Sequence, residues 1–147
     1  MCARNHGDRN MRFSVEYENK ILDLFRGYTL SFPEKVYVGL IRQSGNEVTG
    51  DSYSRVEYDL SNIAWLSTQG TVDEPNSGDT GVISNVANIS WGTALETWGL
   101  IVQVRFFVAS SGEEYILEQD VEPFEIVSGT DVEFLVGDFE ITTRDVS

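Results

Sequence analysis

The chain has 147 residues, of which 41% are hydrophobic and 12% aromatic, a composition typical of one globular domain and not of a disordered tail. Its formal net charge of −14 repels phosphate backbones, which argues against a nucleic-acid partner and favours high solubility. No apolar run approaches the ~18–20 residues that span a bilayer, so no membrane association is expected. The single cysteine, Cys2, has no partner for an internal disulfide, and packing alone must hold the fold.

Residues 1–12 form a polar leader, predicted to be flexible, and the patterned sequence begins near Phe13. The leader contains no apolar segment of the kind found in secretory signals, which predicts a protein that is not exported. Met11 is an alternative start. We therefore expect a flexible leader over 1–12 and a single domain over 13–147.

The first patterned element is a short helix near Asn19. Its apolar residues fall on one face at helical spacing, with Glu18 or Asn19 suited to the N-cap and Gly27 to the C-terminal stop. Pro33 prevents the helix from continuing. The face consists of Ile21, Leu22, Leu24 and Phe25. A helix of about eight residues must dock on something to be stable, so we expect it to cap an open end or edge of the domain, or else to contact a neighbouring subunit.

Alternating strands follow the helix. "KVYVGL" places Val36, Val38 and Leu40 on one face, and "YSRVEYDL" turns Val56, Tyr58 and Leu60 inward while Arg55, Glu57 and Asp59 face water. The polar stretch Ser67–Gly81 is predicted to be a surface loop.

Beyond that loop, "VISNVANISW" resumes the alternation, with Ala87, Ile89 and Trp91 on one side. The strongest strand, "TWGLIVQVRFFVA", has Ile101 and Phe107 on a second face that we expect to be partly covered. Its main apolar face contains Trp98, Leu100, Val102, Val104, Phe106 and Val108. "SSGEE", "VSGTD" and "GD" then separate three further strands.

Short strands with turns every eight to twelve residues predict an all-β fold, an antiparallel β-sandwich of jelly-roll or immunoglobulin-like type. We expect about seven to nine strands and one short N-terminal helix. No strand alternates with a long helix, so a parallel α/β fold is excluded.

No residue pattern indicates catalysis or a cofactor. The only histidine, His6, lies in the leader, so the domain has no histidine to serve as a general base or zinc ligand. Four acids near turns or aromatic residues show no spacing that selects a catalytic pair, and we interpret them as surface carboxylates. They are Glu96, Asp120, Glu122 and Glu125. We therefore expect a non-enzymatic protein without a cofactor or metal.

The loop Ser67–Gly81 and its border hold the remaining binding candidates. "DEPNSGDTG", which includes Asp73 and Glu74, has oxygen ligands at a density that suits calcium, but its order does not match a calcium-binding loop. Trp65, at the edge of the loop, is the best candidate for an exposed aromatic side chain that could stack on a sugar, although packing is the default for tryptophan.

Several motifs in a fixed order resemble those of small bacteriophage virion proteins known as phage tail fibre or phage structural proteins. "NKILDLFRG", "P-x-x-VYVGL" and "EVTGDSYSR" come first, and "NVANISW", "WG" before an apolar strand, a Ser-Gly hairpin and "VSGTDVEFLVGDFEIT" follow. The resemblance covers about Asn19 to Thr143. Members of that family tend to have Pro or Phe-Pro near Ser90–Gly92 and Phe134–Asp138, and the loop Ser67–Gly81 is longer here.

The resemblance implies a non-enzymatic β-sandwich protomer, made in the host bacterial cytoplasm and built into a virion. We expect it to be a capsid decoration (cement) protein that stabilises the shell, with partners among phage capsid or tail proteins and a dimeric or trimeric state on the particle. Two alternatives are a tail fibre or baseplate component that contacts a host receptor, and a carbohydrate-binding module. The interface candidates are Leu22, Phe25, Tyr28, Trp65, Asp73 and Glu74.

Overall fold

The computed structural model describes residues 11–60, 65–67 and 82–142. This part of the chain is almost entirely antiparallel β-structure with one short helix, as the sequence predicts. Its elements are β1 (Met11–Phe13), α1 (Val15–Leu24), β2 (Lys35–Arg42), β3 (Val56–Asp59), β4 (Trp65–Ser67), β5 (Val82–Asn85), β6 (Ile89–Thr93), β7 (Gly99–Phe107), β8 (Tyr115–Ile126), β9 (Asp131–Phe134) and β10 (Glu140–Thr142). The described residues thus contain ten strands, slightly more than the predicted seven to nine, because "VISNVANISW" divides into β5 and β6 and because no strand was predicted at β1 and β4.

The largest sheet has five antiparallel strands in the order β1-β8-β7-β2-β3. Its centre consists of β2, β7 and β8, and Val36, Val38 and Leu40 of β2 are all buried, which confirms the predicted alternation. Along one edge, β1 pairs with only three residues of the 12-residue strand β8, from Leu117 to Gln119. The rest of that edge of β8 has no partner strand among the described residues.

Strand β1 includes two residues that the sequence assigned to the leader. Met11 and Arg12 pair with β8, and the Arg12 guanidinium forms ion pairs with Asp120 at 3.2 Å and Glu118 at 3.4 Å. Because this segment is polar, its sequence does not predict a strand. The short edge strand is stabilised by ion pairs and not by an alternating apolar face. The earlier residues, 1–10, lie outside the described residues.

Strand β7 departs from the predicted alternation at one residue. In the pairing with β2, the adjacent residues Ile41 and Arg42 pair with Gln103 and Ile101, which places a β-bulge at Val102. The register against β8 also shifts here, with the extra residues on β8 between Asp120 and Phe124. As a result, Ile101 joins Val104 in the core, while Leu100 and Val102 are only half-buried. The assignment of Leu100 and Val102 to the buried face, and of Ile101 to the opposite one, was therefore wrong.

"VISNVANISW" is not one strand. β5 pairs with β10 and β4 in a three-stranded sheet, while β6 pairs with β9 in a two-stranded sheet. Ala87 lies between these strands and is exposed, so it does not share a buried face with Ile89. Asn85 explains the break, because its buried amide donates to the carbonyl groups of Ala87 (2.8 Å) and Leu135 (3.2 Å) and holds the chain in a bend.

The core lies between the five-stranded sheet and the smaller sheets. Phe106 of β7 contacts Phe139 edge-to-face at a ring separation of 5.3 Å, and Phe139 lies 4.8 Å from the ring of Phe134 in β9. Trp98 is 1% exposed, and Trp91 is half-buried against Phe134, so the prediction that both tryptophans pack on apolar faces is confirmed.

Candidate assembly surface

Three of the four interface candidates that the structure describes lie on the N-terminal helix and the segment after it. Leu22 belongs to α1, and Phe25 and Tyr28 follow it directly. Trp65 lies in β4, and its backbone pairs with Asn85. Asp73 and Glu74, with the rest of the proposed calcium or receptor loop, lie outside the described residues. The structure therefore brings three of the six candidates onto one surface.

The helix begins at Ser14, earlier than predicted. The Ser14 side chain accepts a hydrogen bond from the Tyr17 N–H at 3.3 Å, and its backbone N–H donates to the Ile116 carbonyl at 2.8 Å. Glu16 and Glu18 lie in the first turn, where acidic side chains interact favourably with the helix dipole. Glu18 and Asn19 are thus helical and do not cap, because the serine anchored to β8 supplies the cap.

The helix ends at Leu24, and Gly27 stops it as predicted. Gly27 has a φ of +89°, a left-handed conformation that glycine adopts without strain. The Tyr28 N–H donates to the Asp23 carbonyl at 3.1 Å and the Gly27 N–H to the Leu24 carbonyl at 3.2 Å, which together form a Schellman motif. This termination fixes the direction of the chain where Phe25 and Tyr28 are presented.

One side of the helix docks on the domain through Tyr17. Tyr17 is 3% exposed, belongs to the core cluster and stacks on Phe32 with ring centroids 5.7 Å apart. The Lys20 ammonium group also lies over the Tyr17 ring, 4.4 Å from its centroid. Burial raises the pKa of the Tyr17 hydroxyl, which fits its position in the interface between helix and domain.

The other side of the helix is apolar and faces water. Leu22 is 61% exposed and Phe25 is 89% exposed. Because Val15, Leu22 and Phe25 are separated by seven and three residues, they lie along one stripe of the helix. We call the exposed side chains of Val15, Leu22 and Phe25, together with Tyr28 just beyond the helix, the apolar helix face. Leu24 is seven residues after Tyr17 and lies on the docked side of the helix.

The prediction that Leu22, Leu24 and Phe25 cap the sandwich is therefore wrong. The sequence shows an apolar stripe, but the attachment of Ser14 to β8 rotates the helix so that Tyr17 points inward instead. Ile21 is half-buried, whereas Leu24 is 45% exposed. Contact with a neighbouring subunit, the other role considered for the helix, stays a prediction.

A partly buried polar cluster in the connection between β2 and β3 was missed by the sequence analysis, which placed Arg55 on a face exposed to water. The Arg55 guanidinium donates to both carboxylate oxygens of Glu47, at 2.9 and 2.7 Å. It also lies 3.4 Å from the centroid of the Phe107 ring, so it covers the second face of β7. We call Glu47, Tyr53 and Arg55 the Arg55 cluster.

Tyr53 completes this cluster. Its hydroxyl donates to Glu47 Oε2 at 2.6 Å and accepts the Leu40 N–H at 2.9 Å. Burial raises the pKa of Tyr53 far above its usual value, and the hydrogen bond to the Glu47 carboxylate acts in the same direction. Because β2 must pass close to these side chains, a Cβ at Gly39 would lie only 2.7 Å from Glu47 Oε2. The cluster therefore fixes the turn between β2 and β3 and contains no group directed at a ligand.

Two of the four acids considered for catalysis, Glu96 and Asp120, are engaged in structural contacts, while Glu122 and Glu125 are exposed. The Glu96 carboxylate accepts hydrogen bonds from the Ser52 hydroxyl and backbone N–H, and the first of these lowers the pKa of Glu96. Asp120 pairs with Arg12 and accepts a bond from the Gln103 amide at 3.0 Å. In the part of the chain that the structure describes, no group of three or more His, Cys, Asp or Glu side chains is arranged to hold a metal ion.

Within the same residues, no helix has the length and apolar character needed to cross a membrane. One family model matches the chain: the family described as podophage GP4 fiber I protein gp80 matches residues 12–142. The match extends from β1 to the end of β10. No curated protein matches the chain significantly.

Proposed function

Because the chain belongs to the family of the podophage fibre I protein gp80, which makes it a phage structural protein associated with other virion proteins, we propose that it is a non-enzymatic component of a virion fibre. The observation that carries this proposal is the family match over 12–142, which includes every described element of the fold. The chain would act through contacts with other virion proteins and not through chemistry on a substrate.

Two features of the described residues support a role in assembly. The apolar helix face presents large side chains to water, and Phe25 is the most exposed large hydrophobic residue in the described part of the chain. Exposed apolar patches on soluble domains commonly mark interaction sites. By contrast, Glu96 and Asp120 are occupied by contacts within the protein, which leaves them in structural roles.

A fibre position is favoured over the capsid-decoration role that the sequence analysis placed first, because the matching family is described as a fibre protein. The two positions predict different defects. A fibre component is needed for attachment to the host, whereas a decoration protein stabilises the assembled shell by binding it in preference to free subunits.

The experiment compares purified particles that lack this protein with complete particles. We expect the deficient particles to adsorb poorly to host cells while their shells keep their resistance to heat and osmotic shock. Quantified gel bands of complete particles should give a small copy number, as expected for a fibre. Normal adsorption with heat-sensitive shells, together with hundreds of copies per particle, would refute the fibre position and support capsid decoration.

The carbohydrate-binding alternative depends on Trp65. It can be tested independently of the fibre and capsid-decoration positions. Strand β4 holds the Trp65 backbone beside Asn85. Binding on a glycan array that is lost in Trp65→Ala would favour this alternative, whereas silence on the array would count against it.

A further inference from the structure

We propose that the outer face of the five-stranded sheet binds a neutral glycan, with the terminal nitrogens of Arg105 donating to two neighbouring hydroxyl groups of one sugar ring. This inference rests on the proposed function, because it names the class of receptor that the fibre component contacts. The surface belongs to a different sheet from Trp65 and contains none of the interface candidates that the sequence indicated.

Three neighbouring strands, β1, β8 and β7, place polar side chains next to each other on this face. The register pairs Arg12 of β1 with Glu118 of β8, and Glu118 with Arg105 of β7. Two residues further along β8, Asp120 pairs with Gln103 of β7. Because successive side chains of a strand point to opposite faces, these five lie opposite the core residues of the same strands. We call the following side chains the Arg105 face: Arg12, Gln103, Arg105, Tyr115, Glu118 and Asp120.

Contacts within the sheet hold the Arg105 guanidinium in one position. Its Nε donates to the Gln103 side-chain oxygen at 3.0 Å, and its central carbon lies 4.7 Å from the centroid of the Tyr115 ring. The Glu118 carboxylate lies 3.9 Å from the same Nε and accepts a hydrogen bond from the Tyr115 hydroxyl at 3.1 Å. Because these groups are already ordered, binding a ligand costs little further side-chain entropy.

The two terminal nitrogens of Arg105 supply the donors for a ligand. A guanidinium has five N–H donors in a planar fork, and among the described residues only the Nε of Arg105 has a hydrogen-bond acceptor. Arg12 differs, because both of its terminal nitrogens donate to Asp120, at 3.2 and 3.3 Å. The Arg105 side chain is 27% exposed, so a ligand can reach the fork from solvent.

The charges of the Arg105 face favour a neutral ligand. Its two arginines pair with its two carboxylates, although the whole chain carries a net charge of −14. An anion would be repelled by the chain and by the carboxylates of Glu118 and Asp120. A cation would have to compete with Arg12 for the same carboxylates. A sugar hydroxyl meets neither obstacle, since it accepts from an arginine fork and donates to a carboxylate.

The openness of the face favours a polysaccharide over a free sugar. The side chains of Arg12 and Asp120 are 45% and 38% exposed, so one side of a bound sugar remains in water. A single unit is therefore expected to bind weakly. Repeated units on a cell surface let several copies of the protein bind at once, which raises the overall affinity without any new contact.

The test measures binding of the purified full chain to deproteinised surface polysaccharide of the host, immobilised on an interferometry sensor. The polysaccharide is used untreated, after chemical reduction of its carboxyl groups, and after periodate oxidation, which cleaves the bond between neighbouring hydroxyl-bearing carbons. We expect the untreated and the carboxyl-reduced forms to bind equally well. The periodate-treated form should not bind.

Arg105→Lys keeps the positive charge but lacks the planar fork, so it should bind the untreated polysaccharide about 10-fold or more weakly. Arg26→Lys is the matched control. Arg26 also pairs with a carboxylate, that of Asp23 at 3.1 Å, and lies 5.2 Å from the centroid of the Tyr28 ring, but it follows the helix. This control should bind as the wild type does. An unchanged circular dichroism spectrum shows that each variant is folded.

Four results would overturn the proposal. One is a wild-type chain that does not bind the untreated polysaccharide; if particles that lack the protein still adsorb poorly, the fibre position stands and only the glycan contact is wrong. Another is binding that Arg105→Lys retains, which places the contact elsewhere. Binding that is lost on carboxyl reduction shows an acidic ligand, and binding that survives periodate shows that neighbouring hydroxyl groups are not recognised. If Arg105→Lys binds no more weakly but fails to enter particles, the face contacts another virion protein.

Discussion

The apolar helix face and the Arg55 cluster reverse the usual relation between residue type and burial. Phe25 is 89% exposed, whereas the Arg55 side chain is 7% exposed. Each case has a specific cause. Arg55 is buried because Glu47, Phe107 and two backbone carbonyl groups satisfy its charge and its donors. Phe25 is exposed because a different aromatic residue, Tyr17, holds its helix on the domain.

This difference shows which residues the fold needs and which it leaves for partners. A buried charge with a full set of contacts becomes part of the framework, and its loss should damage the fold. An exposed aromatic residue contributes little to folding, and its loss should affect only assembly.

Arg55→Ala should produce the largest loss of stability. It leaves the partly buried Glu47 carboxylate without its ion pair, which costs about 3–5 kcal/mol in the free energy of unfolding. Urea unfolding at neutral pH measures the change. Lys35→Ala removes a surface ion pair with Glu57 and is the control, with almost no expected change. Similar results for both variants would show that the Arg55 cluster is not a structural centre.

Tyr17→Ala and Phe25→Ala test the two sides of the helix with matched truncations. Tyr17→Ala removes a buried ring and should reduce the free energy of unfolding by about 3 kcal/mol. Phe25→Ala should change it by less than about 0.5 kcal/mol when measured on the dissociated protein. Thermal unfolding at low protein concentration separates the two. A large loss in Phe25→Ala would restore the capping role that the exposure of this residue contradicts.

Two buried amides extend the comparison to neutral polar groups. Asn85 uses both ends of its amide: it donates to two carbonyl groups and accepts the N–H groups of Gly137 and Phe139. The fully buried Gln119 amide has no hydrogen-bond partner among the described residues.

Gln119→Leu should therefore raise the free energy of unfolding by about 1–3 kcal/mol, since it removes an unsatisfied polar group from the core. Asn85→Leu should lower it, because four partners lose their hydrogen bonds. Chemical denaturation of both variants checks the signs. A destabilised Gln119→Leu would mean that this amide has a partner after all.

Tyr53 gives the Arg55 cluster a smaller, pH-dependent effect. Its folded pKa lies above the unfolded value of about 10, so the contribution to stability is present below pH 10 and is lost as the pH rises further. Stability curves of the wild type between about pH 9 and 11 should fall. Tyr53→Phe should be about 1–2 kcal/mol less stable at neutral pH but should decline less steeply, because the titrating hydroxyl is gone.

The regular strands were predictable because one side of each strand is buried and the period is two residues. Val36, Val38 and Leu40 illustrate this, and so does the glycine stop at Gly27. The bulge at Val102 was not predictable, since a one-residue shift in pairing depends on the partner strand β2 and leaves no mark in the local pattern.

The orientation of the helix could not be predicted from the sequence either. Both stripes of α1 contain apolar residues, and the choice between them depends on the contact of Ser14 with Ile116, more than 100 residues away. The same holds for Arg55, whose partners Glu47, Ala109 and Gly112 come from different turns. The alternation of polar and apolar residues predicts that Arg55 is exposed. In the folded protein, residues from other turns cover it.

The short pairing of β1 with β8 has a consequence for how the free protein behaves in solution. A long strand with an open edge is a template for indiscriminate β-sheet growth between molecules. Past Gln119 this edge carries Glu122 and Glu125, both exposed, and Pro123, which has no N–H to donate. Because this edge is negatively charged and lacks the N–H donor at the proline, another strand pairs with it poorly. The protein can therefore accumulate without forming fibrous aggregates.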